Sequence, residues 1–158
     1  MSKKLSLRPD ICYMLGVAQF GRDEPSIYII SRIDDVIERF VKIAMGSFKI
    51  EPSKLLSSEE EGLKKILFYN SAAKRLMQNA LKDKERIFKY RNDYSASYFA
   101  GIYDSRGMLD GKVVYLGRLD IVDIVILERL GFHMAGRGRV RNSKEFMDFI
   151  MQYSAKAH

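Results

Sequence analysis

Tyr98-Phe99-Ala100-Gly101-Ile102-Tyr103-Asp104-Ser105-Arg106-Gly107 is an apolar run with a glycine near its middle and charge only toward its end. Its opening has a counterpart 85 residues earlier, where Tyr13-Met14-Leu15-Gly16 stands against Tyr98-Phe99-Ala100-Gly101. Other landmarks keep step with this pair. Ser31-Arg32-Ile33-Asp34 returns as Gly117-Arg118-Leu119-Asp120 at an offset of 86, each following a β-branched and aromatic run, and Gly46 returns as Gly131 at 85. Asn70-Ser71 returns as Asn142-Ser143 at 72, so the first half holds about 13 extra residues, and Pro52 to Glu61 has the loop-like composition to hold them. Four landmarks in one order point to an internal duplication.

Periodicity supplies the elements between the landmarks. Asp10 is read as the cap of a first helix running to about Gly21, followed by a strand over Ile27 to Ser31. Val36, Ile37, Phe40, Val41 and Ala44 fall at helical spacing, and Ser47 to Glu51 and Lys65 to Tyr69 are short strand candidates. Ser71 is read as the cap of the next helix, and the charged stretch Lys82 to Asp93 as the connection between halves. In the second half a helix is expected from about Ser95 to Ser105, and Asp110-Gly111 signals a hairpin. A buried helix spans Ile121 to Leu130, a strand spans Arg137 to Arg141, and a last helix follows Asn142-Ser143. The expected fold class is therefore α+β, built of two pseudo-symmetric αββαββα repeats. The first is residues 1–92 with the connecting helix, the second residues 93–158, and together they make one compact unit.

Length and charge fit this reading. The chain has 158 residues, 27 Lys+Arg against 20 Asp+Glu, and a formal charge of +7. Such a length buries a full core without staples, and the single cysteine, Cys12, excludes a disulfide framework and a Cys-rich zinc site. The polar, basic start from Met1 to Arg8 lacks the apolar stretch of a secretory leader, and no apolar run approaches a bilayer's thickness. The expectation is a soluble, monomeric, cytoplasmic protein with no membrane partner. A basic surface with 9 Tyr and 9 Phe favours a polyanion.

The run Phe99 to Gly107 resembles the nine-residue signature of the LAGLIDADG homing endonucleases. Ala100 matches its small second residue, Gly101 its third, Asp104 its sixth and Gly107 its ninth. The first repeat, Met14 to Arg22, keeps only Gly16 and the apolar character. The resemblance implies that the two signature helices pair at Gly16 and at Ala100 and Gly101, and that antiparallel strands form a saddle seated on double-stranded DNA. It also implies divalent metal ions held by an acid at the eighth position of each signature. Here those positions are Gly21 and Arg106: one has no ligand atom, and the other is a fixed cation suited to a phosphate oxygen. Asp104 and Asp23 remain as candidate catalytic carboxylates, with no metal assigned and Mg²⁺ implied only for an active nuclease.

Other chemistries find less support. His133 reads as a turn or edge residue and His158 is terminal, and no Walker-type phosphate loop is present. On a strand, Arg137, Arg139 and Arg141 would share one face in a row about 13 Å long. Such a row suits phosphates or guanine edges, or serves as the charged rim that keeps an edge strand from pairing. Arg32, Lys112 and Arg118 extend the candidate surface. The sequence reading is thus a LAGLIDADG-like binder of double-stranded DNA with cleavage lost or much reduced. Its alternatives are an active Mg-dependent homing endonuclease and a maturase-like scaffold for structured RNA.

Overall fold

The computed structural model describes residues 5–157, and the first four residues of the polar N-terminus and the terminal His158 lie outside the described residues. Helix α1 (Pro9–Val17) starts with proline at its first turn, where the missing N–H costs nothing, and Asp10 complements the helix dipole beside it. Arg8, not Asp10, holds the cap position. The helix stops at Val17, short of Gly21, because Ala18 turns extended and Gln19 bridges Tyr28 through reciprocal backbone hydrogen bonds of 2.7 and 3.0 Å. Gln19, expected inside the helix, thus makes a single β-bridge.

The rest of the first half follows as β1 (Ile27–Ser31), α2 (Asp34–Gly46), a 3₁₀ turn (Pro52–Lys54), β2 (Leu56–Glu60) and β3 (Leu63–Phe68), then α3 (Ser71–Lys82) and the short α4 (Lys84–Ile87). Two expectations are corrected here. Residues 47–51 form no strand: Ser47 ends α2, and Lys49 adopts a φ of 57° that breaks an extended run. The stretch expected as a loop instead folds into the 3₁₀ turn and β2, whose partner β3 turns back through Glu61 and Gly62, both at positive φ. Asn70 rather than Ser71 caps α3, accepting from Ala73 N at 2.8 Å.

The second half contains α5 (Asp93–Arg106), β4 (Met108–Asp110), β5 (Val113–Tyr115), α6 (Ile121–Arg129), β6 (Met134–Ala135), β7 (Arg139–Val140) and α7 (Ser143–Ile150). Asn92 and Ser95 form a reciprocal capping box at the start of α5, so the helix begins earlier than Ser95. Gly111, at a φ of 62°, closes the β4–β5 hairpin. Beyond it, the expected strand over Arg137 to Arg141 is reduced to Arg139 and Val140. Arg137 sits at a φ of 65° inside a 3₁₀ turn, and Gly138 at 68° follows it. The three guanidinium groups therefore do not stand in one strand row.

Each half contributes its own antiparallel sheet, in the order β1-β3-β2 and β4-β5-β7-β6. Between them run α1 and α5, almost wholly buried: Ile11 to Leu15 on one, and Ser95 to Asp104 on the other. A helix apolar on every side must be covered on every side. Their contact is made at the two glycines. A Cβ on Gly16 would lie 2.7 Å from Ile102 N, and one on Gly101 would lie 2.9 Å from Val17 N. The contacts are reciprocal, each glycine meeting the residue that follows its counterpart. Phe40, Phe68, Phe99, Phe132 and Phe146 fill the core on either side. The fold is α+β with paired central helices and antiparallel sheets. No described helix is long and apolar enough to cross a membrane.

Candidate nucleic-acid interface

The two central helices end side by side, and a cleft opens on each flank of the α5 terminus. One, of about 280 Å³, lies between Val17, Tyr28 to Ser31 and Asp104 to Arg106. The other, of about 290 Å³, is bounded by Gly16, Gly21, Lys84, Arg106, Asp120 and Asp123 among others. Arg106 borders both clefts. It is exposed, ends α5, and its side chain makes no hydrogen bond or ion pair among the described residues. A cation at a helix C-terminus is favoured by the dipole there, and its five donors remain available for an anion.

The carboxylates around it are committed. Asp104 is buried, at 2% exposure, and accepts from the Tyr13 hydroxyl at 2.6 Å, Ala155 N at 2.7 Å, Lys156 N at 3.2 Å and the Ser154 hydroxyl. It ties α1, α5 and the C-terminal segment together. Burial, and then the Asp104 charge, push the Tyr13 hydroxyl far above its ordinary pKa, so it stays a donor. In the second cleft Lys84 reaches Asp120 at 2.6 Å and Asp123 at 3.0 Å, while Tyr98 donates to Asp123 at 2.8 Å. Burial pushes the Asp123 carboxyl up, against the pull of Lys84 and Tyr98. Burial also pushes Asp120 up, but the Lys84 hydrogen bond, the Asp123 amide and the nearby cations outweigh it and hold that carboxyl below its usual range. Asp23 is exposed and borders neither cleft.

These residues do not fit a divalent cation. The positions that the signature reserves for acids are a glycine and an arginine, and an ammonium group already sits within reach of both Asp120 and Asp123. Asp104 has its oxygens engaged by four donors. Among the described residues no three His, Cys, Asp or Glu side chains gather as a metal site.

The basic residues singled out in the sequence separate into groups. Arg32 follows β1 and donates to the Glu61 carbonyl at 2.6 Å. Arg139 stands on β7 opposite Tyr115. A methyl on Gly138 would lie 2.8 Å from Gly117 N, and Leu116 N donates to the Gly138 carbonyl at 2.8 Å. This close backbone approach sets Arg118 beside the Arg137-Gly138-Arg139 turn. Lys112 and Arg141 border a separate open cleft with Lys144 at the start of α7. The Lys84, Asp120, Asp123 and Tyr98 cluster and Lys144 are not evident from sequence. Only Asp120 carries a signal there, as the residue opening a buried helix.

No protein-family model and no curated protein matches the sequence. Several solved structures do match the fold. A mesophilic variant of the homing endonuclease I-DmoI aligns with a TM-score of 0.66 and 12% identity over 93% of this chain and 97% of that one. I-DmoI in complex with DNA and Mn gives 0.64 and 13% over 90% and 96%. The complex with DNA and Ca gives 0.63 and 12% over 96% and 91%.

Proposed function

We propose, from the LAGLIDADG-like fold that the chain shares with I-DmoI, that it binds double-stranded DNA and has lost strand cleavage wholly or in large part. Residues 1–92 and 93–158 are then the two repeats, and the second supplies most of the grip through Arg106, Arg118, Arg137 and Arg139. One observation carries the reading: where the signature has acids stand Gly21, in the loop beyond α1, and Arg106, the last residue of α5, whose side chain makes no hydrogen bond or ion pair among the described residues. Mg²⁺ accepts few protein ligands and needs them anionic, whereas a guanidinium there holds a phosphate without activating it. Binding and hydrolysis thus separate at one residue.

The test has two parts. Duplex DNA titrated across a salt series should give a slope of about −0.9 per phosphate neutralised, and both slope and affinity should fall in Arg106→Ala, Arg118→Ala and Arg139→Ala. A structured RNA that competes tenfold better than duplex would favour the scaffold reading instead. Incubation of a duplex library with Mg²⁺ or Mn²⁺ should leave it intact. Site-specific double-strand cuts, abolished by Asp23→Asn, would restore the active endonuclease.

A further inference from the structure

Alternation along each strand sorts its residues into two faces. In the first sheet Ile27, Ile29, Ile66 and Phe68 are buried on the core side, so Tyr28, Ile30, Lys65 and Leu67 share the opposite face, with Leu56 of β2 beside Leu67 and Glu60 beside Leu63. Ile30 is 49%, Leu56 50% and Leu63 38% exposed. The Lys65 ammonium lies 4.5 Å from the centre of the Tyr28 ring, and Arg32 follows β1 at the edge of the face. In the second sheet Val114 and Val140 are buried on the core side, and Tyr115 pairs with the exposed Arg139 across the other. The two sheets flank one helix pair, but one outer face is mainly aliphatic and the other presents a guanidinium beside a phenol.

A duplex lying across both faces meets different chemistry at its two ends. Three strands about 4.8 Å apart span roughly 10 Å, within a major groove about 12 Å wide. Isoleucine and leucine make no hydrogen bonds, so over a guanine or cytosine edge they strand donors and acceptors that water had satisfied. Thymine alone among the four bases presents a methyl group in that groove. An aliphatic side chain over that methyl removes apolar surface from water on both partners. Lys65 and Glu60 at the margins of the aliphatic patch supply a donor and an acceptor for neighbouring base edges. Arg139 suits instead the O6 and N7 acceptors of guanine.

We infer that the target is asymmetric: Ile30, Leu56 and Leu63 of the first repeat read thymine C5 methyl groups in one half-site, and Arg139 of the second reads guanine in the other. The inference rests on the duplex-DNA reading and deepens it, since it names the base that each sheet selects. It also separates DNA from RNA. Uracil lacks the methyl, and the major groove of an A-form helix is too narrow for side chains to read.

The test begins with a pool of random-sequence duplexes, from which the chain should retain one asymmetric site. That site is resynthesised with deoxyuridine for thymidine in one half at a time, which removes the C5 methyl and keeps base pairing and charge. In one half the change should weaken binding about tenfold, at about fourfold for each methyl buried, and in the other by less than about twofold. Ile30→Ser/Leu63→Ser identifies the sensitive half: it should bind the thymidine site about tenfold more weakly than the parent and no longer distinguish it from the deoxyuridine site. Both side chains are exposed, so its melting should match the parent's, and Leu56→Ser on an edge strand is a second variant that should lose part of the methyl effect. Arg139→Ala should keep the methyl effect and lose about tenfold in preference for guanine in the other half. Equal binding of thymidine and deoxyuridine sites, a methyl effect that survives in Ile30→Ser/Leu63→Ser, or retention of duplexes without sequence preference overturns this inference and leaves duplex binding standing. Retention of no duplex at all refutes duplex binding itself, and this inference with it.

Discussion

Gly101→Ala tests the helix pairing by the sign of its effect. An exposed or loosely packed helical glycine replaced by alanine gains about 0.4–1 kcal/mol, because the unfolded chain loses conformational freedom. At Gly101 the added methyl would lie 2.9 Å from Val17 N, 3.0 Å from Gly16 Cα, and closer again to the Tyr13 carbonyl oxygen. All three are backbone atoms of α1, so no side chain can swing aside. Comfortable contact needs about 3.5–4.0 Å, and the helices must part by about 1 Å, which forfeits a quarter to a half of each dispersion contact between them. Overpacking of this kind costs about 1–3 kcal/mol or more, and the interface is the centre of the core. For a chain of this size about 3 kcal/mol lowers Tm by about 6–12 °C.

Gly46 closes α2, and a methyl added there would meet no atom within 4 Å, which makes it the matched control: Gly46→Ala should leave stability unchanged or raise it. The double variant Gly16→Ala/Gly101→Ala adds a second check. Each methyl faces the other helix, so once one has parted the helices the other fits more cheaply, and the double variant should cost less than the two singles together. Urea midpoints and thermal melts of the parent, the singles, the double variant and the control decide the matter. A Gly101→Ala protein as stable as its parent, or singles that simply add, would refute the backbone contact.

Three further outcomes follow from the buried polar groups. Asp104→Asn weakens acceptance from four donors that hold the C-terminal segment and should cost about 3 kcal/mol in urea unfolding, with Ser154 to Ala157 the first amides to lose exchange protection. Lys84→Met strands Asp123 and should cost about 3–5 kcal/mol at neutral pH. Because burial already raises the Asp123 carboxyl, the protonated form suits the folded state, so the deficit should shrink as pH falls toward 4 and grow as it rises. The Cys12 thiol is pushed up to about 12, first by burial and then by Asp10 and Asp93. It should resist alkylation at pH 8 in the folded protein, and stability present below pH 9 should decline by about 1.4 kcal/mol per unit as pH climbs toward 12.

How far the sequence can be read depends on the range of the interaction involved. The glycine pair and the hairpin at Asp110-Gly111 are legible because each is set by a local requirement, a missing Cβ or a positive φ. Arg137 to Arg141 has the pattern of a strand and is mostly not one, because Arg137 adopts the left-handed region where Gly138 closes on Gly117, a contact 21 residues distant in sequence. β2 is hidden by its composition: Leu56-Ser57-Ser58-Glu59-Glu60 has no apolar alternation, since both its faces are exposed and only pairing with β3 makes it a strand. Lys84 lies in a charged stretch that looks wholly solvated, and its burial depends on Asp120 and Asp123, some 36 residues away or more.

The sixth positions of the two signature-like runs, Gln19 and Asp104, sit on different backbone, and the two clefts differ accordingly. The two positions stand 85 residues apart, as the glycines do. Asp104 lies inside α5 because that helix runs on to Arg106, and its carboxylate is drawn into the core by Tyr13 from the other repeat. Gln19 lies outside α1, exposed, because Ala18 turns extended and the backbone bridges Tyr28. The residues after each position therefore leave the axis differently: Gly21 falls in an exposed loop and Arg106 ends a helix. A two-fold metal pair needs equivalent ligands on equivalent backbone, and here both the residue and the backbone differ between the halves. Acids placed at Gly21 and Arg106 alone should accordingly not produce paired strand cleavage, and a Gly21→Asp/Arg106→Glu protein that cut both strands of a duplex would refute this account.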